Sequence, residues 1–440
     1  MSPEQTPGQG SAAGSGPGSD TVTGPGSDLG SDSSGLPPAS AVTDATGRRE
    51  VGVFTAVSLA LAIQAGVALT IFAPSVLAPV AHRTIGVDAS TVGILTSIIY
   101  LFAAFAAVSS ARFVAALGAV RASQCCLLVC AGGIALVATG ALPFVLLGAV
   151  LLGLGYGPVT PSAAIMLLST VPPRYRSLGF SIKQTGVPIG AGLCGIMIPA
   201  LVAAANWQVA ALVLAAAAVV IAILCEPMRP RLDRGTTGSG SRASATPLAA
   251  LRLVWREPRL RELAIGSFVF AGIQMCVITY MVVFLTENGL TLTSAGLAMS
   301  SAMVGGVIGR IGWGWVADNL MSPRRTLAVI SAITAVTAFG FVGVSSSWPF
   351  VAVLVLAFVA GLSSIAWNGV FLAEVAHRAP TGMATAATGG VMFCTYGGVV
   401  VWPAAFFAVH ALTHTYAASF MLVGVLGLAG SMMFARLAHE

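Results

Sequence analysis

The chain has 440 residues, 56% of them hydrophobic and only 8% charged, with a mean hydropathy of +0.91 and a formal net charge of +6. Soluble domains carry about 25% charged residues, so there is too little charge here to clothe a water-soluble globule. The basic residues are dispersed among short polar segments, which argues against nucleic acid as a partner and for orientation in a lipid bilayer.

Residues 1–50 are rich in Gly, Ser, Pro, Thr and Asp and nearly free of large apolar side chains. Such a segment cannot bury enough surface to offset its ordering entropy, so a disordered tail is expected. It has neither the basic start nor the apolar core of a signal peptide. Apolar runs then recur at the length a helix needs to cross a bilayer, about 20 residues. They predict spans near 54–78, 90–109, 123–140, 142–168, 178–203, 208–225, 263–286, 293–317, 326–345, 349–373, 383–408 and 416–436. The expected fold is an all-α membrane protein of twelve transmembrane helices. A tail (1–50) precedes a first six-helix bundle (51–226), a cytoplasmic linker (227–261) and a second six-helix bundle (262–440). In the linker, residues 247–263 mix apolar and basic residues, which suits either a short helix on the membrane surface or a solvated segment.

The charges test this count. With both termini inside, 18 of the 21 Lys and Arg residues fall on the inner face and only Arg83 falls outside, leaving Lys183 and Arg310 within spans. A wrong count would scatter them over both faces, so an N-in, C-in arrangement is expected. The seven cysteines lie in or beside apolar runs without metal-ligand spacing, so neither a metal site nor a disulfide framework is indicated.

The eighth predicted span ends in GGVIGRIGWGWVADNLMSPRR, residues 305–325. Gly314, Asp318 and the pair Arg324 and Arg325 in this stretch resemble the loop signature of the major facilitator superfamily. The resemblance implies a glycine at a close helix approach, an aspartate held by an arginine or a helix end, and basic residues on the cytoplasmic face. After the second span, SARFVAALGAVRA is a degenerate copy. Aligning Ala115 with Asp318 brings Arg121 opposite Arg324, with Ala111 in place of Gly314. Pseudo-symmetric halves of this kind suit a transporter with a midline cavity. In the fifth span, Gly186, Pro188 and Gly190 are similar to a helix-bending motif of superfamily antiporters, though a plain bend that lets helices pack closely explains them as well.

Charges deep in a bilayer cost at least about 2.5 kcal/mol each and are functional by default. Arg310 lies eight residues before Asp318, and Lys183 seven after Arg176. At about 1.5 Å per residue both sit roughly 10–12 Å from the inner surface, one in each half. An anion bound between the halves could touch both. For Arg310 the competing reading is a structural pairing with backbone carbonyls. For Lys183 it is snorkelling of the long stem to the inner surface. An arginine in this span followed by Gly-x-x-Asp also looks like that of monocarboxylate-type carriers, where it faces substrate. Tyr156, Gln184, Gln274, Trp367 and Asn368 are uncharged candidates for lining the cavity, as are Gln64, Tyr100, Thr160 and Tyr280.

No carboxylate falls in mid-span; Glu287, Asp318 and Glu374 stand at span ends. A co-transported proton would therefore travel with a weak-acid substrate, or by Glu374 or His377. The reading is a secondary transporter of a small organic anion, with an exporter of neutral lipophilic compounds as the alternative. Its partners are a small-molecule substrate and the lipid bilayer of the plasma membrane. A monomer is expected, and no cofactor or enzymatic motif is indicated.

Overall fold

The computed structural model of the chain describes residues 52–172, 176–233, 247–380 and 384–437. The predicted tail lies outside them. Among the described residues, twelve helices are long and apolar enough to cross a membrane. The first half contains Val53–Ile85, Ala89–Ala107, Ala119–Val137, Leu142–Thr170, Ile182–Ala204 and Trp207–Leu232, here spans 1 to 6. The second contains Pro258–Glu287, Leu292–Asn319, Pro323–Val342, Phe350–Val375, Ala387–Thr413 and Tyr416–Arg436, spans 7 to 12. Each overlaps its predicted run. Between spans 3 and 4 the chain turns at Gly140, whose φ of 74° suits a residue without a Cβ.

Several spans are interrupted, for reasons of local chemistry. Span 4 breaks at Gly157 and Pro158, between helices Leu142–Tyr156 and Val159–Thr170. Span 5 breaks at Thr185, between Arg176–Gln184 and Gly186–Ala204. Span 10 runs from Phe350–Ala360 through a wide π turn at Gly361–Ile365 into Asn368–Arg378. Proline has no N–H to give the carbonyl four residues earlier, so Pro188 frees the Gln184 carbonyl.

The halves meet tightly toward the end where spans 2 and 8 begin. A Cβ on Gly296 would run into the Gly195 carbonyl oxygen, and one on Gly195 into that of Gly296. Ser300 Oγ donates to the Gly192 carbonyl at 2.8 Å. Gly93 of span 2 lies against the Tyr280 hydroxyl and the Pro403 carbonyl, which are themselves joined at 2.9 Å. At the opposite end, Arg121, Asp318 and Leu320 are exposed. The seam is therefore shut at the end where spans 2 and 8 begin.

In the linker, Pro247–Arg256 forms a separate helix, and a second begins at Pro258 and continues as span 7. The single helix expected over 247–263 is thus broken at Glu257, because Pro258 supplies no N–H to continue it. Val254 is buried while Arg252, Trp255 and Arg256 are exposed.

Candidate functional site

Arg310 is held by carbonyls from two interrupted helices, one in each half. Its Nη1 donates to the Gln184 carbonyl at 2.9 Å, the group that Pro188 leaves without a helical partner. Its Nε donates to the Ile365 carbonyl at 3.4 Å, at the end of the π turn in span 10. Helix C-termini carry partial negative charge, so both contacts favour a cation. One helical turn along span 8, Trp313 Nε1 donates to the Leu362 carbonyl of the same π turn at 2.7 Å. Gly305 and Gly309 allow this closeness, since a Cβ on either would strike a span 10 carbonyl. Among the described residues, two of the five guanidinium donors are engaged this way, leaving three.

Lys183 converges on the same residue. It is 1% exposed, and its Nζ donates to Gln184 Oε1 at 3.0 Å and Thr160 Oγ1 at 3.1 Å. The stem does not snorkel. The one-turn helix break at Thr185 turns the residue inward, where span 4 supplies the second oxygen. Tyr156 stands near enough to Arg310 to interact electrostatically. It also packs edge-on against Tyr100, with ring centroids 5.6 Å apart. Lys183, Gln184, Arg310 and Tyr156 thus come together, with Thr160, another of the uncharged candidates, as an acceptor.

Gln274, Trp367 and Asn368 form a separate group. Gln274 Oε1 accepts from Trp367 Nε1 at 2.9 Å and from Asn368 Nδ2 at 3.3 Å. Trp367 is 1% exposed and stacks on Phe270, with centroids 5.2 Å apart. It packs in the core of the second half.

The loop signature departs from expectation at three points. A Cβ on Gly314 would meet nothing within 4 Å, so this glycine makes no close approach; Gly305 and Gly309 do. Asp318 is exposed and has no ion pair among the described residues. Arg324 is buried, where an inner-surface marker was expected. Its Nε pairs with Glu374 Oε1 at 2.9 Å, and Arg378 Nε reaches the same oxygen at 2.9 Å. Arg325 stays exposed. Glu374 is thus committed to two arginines, which leaves His377, exposed at the same helix end, as the other residue of the expected proton path.

In the first half, Arg121 pairs at 3.4 Å with Glu226, which also takes Arg229 at 2.6 Å. The aspartate missing from that loop has a distant substitute. Asp233 accepts from the backbone N–H groups of Val120 at 2.8 Å and Arg121 at 3.2 Å, capping span 3. Gly118, at φ 89°, makes room for that carboxylate. A contact between residues 113 apart leaves no local signal. In span 5, a Cβ on Gly186 would come within 2.9 Å of Gln64 Cβ, and one on Gly190 would strike the Ala65 carbonyl. With Pro188 between them, these glycines seat the bent helix on span 1.

Two cavities lie elsewhere. One of about 250 Å³ is apolar and lined by Pro74, Ala81, Val92 and Val145, with His82 and Asp88 at its edge. Another of about 450 Å³ lies between Phe105, Cys125, Leu154 and Pro158.

The family model of the Major Facilitator Superfamily matches residues 59–403. Over 193 residues the chain is 25% identical to an uncharacterized MFS-type transporter of Mycobacterium tuberculosis, a match covering 42% of this chain and 41% of that one. It is 27% identical over 234 residues to the 3-(3-hydroxy-phenyl)propionate transporter of Escherichia coli, covering 52% of this chain and 55% of the relative. It is 26% identical over 283 residues to monocarboxylate transporter 13 of Rattus norvegicus, covering 64% and 63%. The chain thus spans about half the length of the curated relatives it matches. Among solved structures, a peptide transporter POT in complex with sulfate superposes with a TM-score of 0.72 at 14% identity, over 89% of this chain and 96% of that one. That likeness concerns the fold alone.

Proposed function

The chain belongs to the Major Facilitator Superfamily, and on that premise we propose that it is a secondary transporter of small organic carboxylates, worked by alternating access. The single observation that carries the reading is the cross-half position of Arg310, a cation deep in the membrane with spare donors. A carboxylate is met by those donors in a low-dielectric setting, where a charge-assisted pair is strong. Lys183, Gln184 and Tyr156 complete the polar lining. Gln274, Trp367 and Asn368 act behind it, fixing the turn that presents the Ile365 carbonyl. Relatives named for hydroxyphenylpropionate, gallate and monocarboxylate transport accord with an acid substrate.

The closed seam at Gly195 and Gly296 is the outer gate in this reading, and the end bearing Asp318 opens to the inside. The two halves rock about the site between them. The unpaired Asp318 and the exposed Arg121 are the faces that would meet when the inner end shuts.

The test is counterflow in proteoliposomes with lactate, benzoate, gallate and 3-(3-hydroxyphenyl)propionate, each beside its neutral amide. Wild type is expected to exchange at least one carboxylate and none of the amides. Arg310→Gln, checked for membrane insertion, is expected to lose that exchange. Exchange of neutral lipophiles by both proteins would replace the anion carrier with an exporter of neutral compounds.

A further inference from the structure

Residues 252–262, RLVWREPRLRE, hold four arginines and two glutamates where the linker joins span 7. Arg252, Trp255 and Arg256 stand at i, i+3 and i+4 of the helix Pro247–Arg256, so they share one face, and all three are exposed. Arg259 and Arg261, also exposed, follow in the first turn of span 7. Among the described residues, none of the four arginines has an ion pair. The other side of the linker helix is apolar and covered: Val254 is buried, and Leu251 and Leu253 are partly so.

Packing fixes where the basic face stands. The linker helix lies on span 11. A Cβ on Gly398 of span 11 would strike Phe268 of span 7, and one on Gly272 of span 7 would strike Trp402 of span 11. Positions 268 and 272 thus advance with 398 and 402, so the two spans run parallel and their starts lie side by side. The linker helix, which leads into span 7, is therefore seated at the start of span 11. Further along, span 11 presents the Pro403 carbonyl to Gly93 of span 2 in the closed seam.

Depth decides the partner. Ile265, four residues after Arg261, is an exposed apolar side chain on a membrane helix and belongs in hydrocarbon. At about 1.5 Å per residue it lies roughly 6 Å beyond Arg261. The arginines are thus level with the headgroup layer, where the available anions are lipid phosphates. Trp255 supports the same placement, since an indole pairs an apolar body with one N–H and suits the membrane–water boundary. The guanidinium fork matches phosphate oxygens.

We propose that this face is a docking surface for anionic phospholipid headgroups, held by Arg252, Arg256, Arg259 and Arg261 with Trp255 seated beside them. Basic segments next to a membrane helix gain from a negatively charged leaflet in this way. The partner is the charged bilayer and not the transported solute, so the assignment is independent of the substrate.

The experiment measures the unfolding midpoint of full-length protein in detergent with added phosphatidylglycerol or phosphatidylcholine of the same acyl chains. Wild type is expected to show an excess midpoint shift with phosphatidylglycerol, lost in about 1 M salt, where the Debye length falls to about 3 Å. Arg252→Gln with Arg256→Gln is expected to lose most of that excess while keeping the wild-type midpoint in phosphatidylcholine. Arg252→Lys with Arg256→Lys should retain it in large part. So should Arg231→Gln with Arg436→Gln, which removes two exposed arginines elsewhere. Should the first pair fail to insert, hydrogen exchange of wild type decides: amides of 251–262 should exchange more slowly in phosphatidylglycerol than in phosphatidylcholine. An undiminished excess in the first pair, an equal loss in the Arg231 and Arg436 pair, or unchanged exchange over 251–262 would overturn the assignment. Equal stabilisation of wild type by soluble heparin would also overturn it, in favour of a soluble polyanion.

Discussion

Arg121 in the first half and Arg324 in the second stand at the same offset in the repeated loop, yet their surroundings are opposite. Arg121 and its partner Glu226 are each 47% exposed, with a separation of 3.4 Å. Arg324 and Glu374 are 6% and 3% exposed, at 2.9 Å, and Arg378 donates to the same carboxylate oxygen. In water, pairing energy is largely offset by screening and side-chain entropy. In a buried pair, the two charges have lost their solvent and depend on each other. The first loop is instead fastened by Asp233 on the backbone, a contact that needs no arginine. The second-half cluster is therefore sealed from solvent, while the first-half pair stands in it.

Removing one member from each cluster separates the two arrangements most strongly. Glu374→Gln removes the carboxylate charge that two arginines share and is expected to destabilise the protein by about 3–5 kcal/mol, read as a large fall in the detergent unfolding midpoint. Arg121→Gln is expected to unfold at the wild-type midpoint within error. Equal effects would mean that burial does not separate the halves.

A second contrast sets the glycines of span 8 against each other. Gly296→Ala drives a methyl into a carbonyl that cannot yield, at an expected cost of about 1–3 kcal/mol. It should also raise reagent access to the seam, measured by labelling a cysteine placed at Ser300. Gly314→Ala enters open space and should be neutral or slightly stabilising, since alanine favours a helix. A loss of stability at Gly314 comparable with that at Gly296 would contradict the packing described.

The smallest effect belongs to Asp88, which caps the turn entering span 2. The hydrogen bond from the Ser90 hydroxyl holds its carboxyl below the usual value of 3.8, aided by the Ser90 N–H and by His410 and His82. A lowered carboxylate contributes stability above its ordinary titration range and loses it as the pH falls through the folded value. Asp88→Ala is expected to cost about 1 kcal/mol at pH 7, as for a lost helix cap. The difference from wild type should vanish in acid, below the carboxyl range. A gap that persists there would assign the effect to packing.

Much of this architecture was legible in the sequence. Hydropathy alone gave the twelve spans, because a bilayer demands apolar helices of one length. Arg310 and Lys183 stood out because charge within spans is rare. Their partners were harder to read. The Gln184 carbonyl follows from Pro188 four residues on, a rule that could have been applied. The π turn that exposes Ile365 has no such marker. The Glu374–Arg378 spacing was visible on one helix, but Arg324 joins from another span fifty residues away. Gly314 misled because a motif glycine and a packing glycine look alike until the neighbouring helix is in place.

The proposed role of Arg310 is to receive a carboxylate. The most direct measurement is ligand-induced thermal stabilisation of purified wild type and Arg310→Gln, with the four carboxylates and their amides as ligands. A ligand that binds only the folded protein raises its stability by mass action. Loss of a hydrogen-bonded charge predicts a fall in affinity of about 30- to 150-fold, from about 2–3 kcal/mol. Stabilisation of wild type alone, by carboxylates alone, is the predicted result. Equal stabilisation of both proteins by the same carboxylate would contradict it.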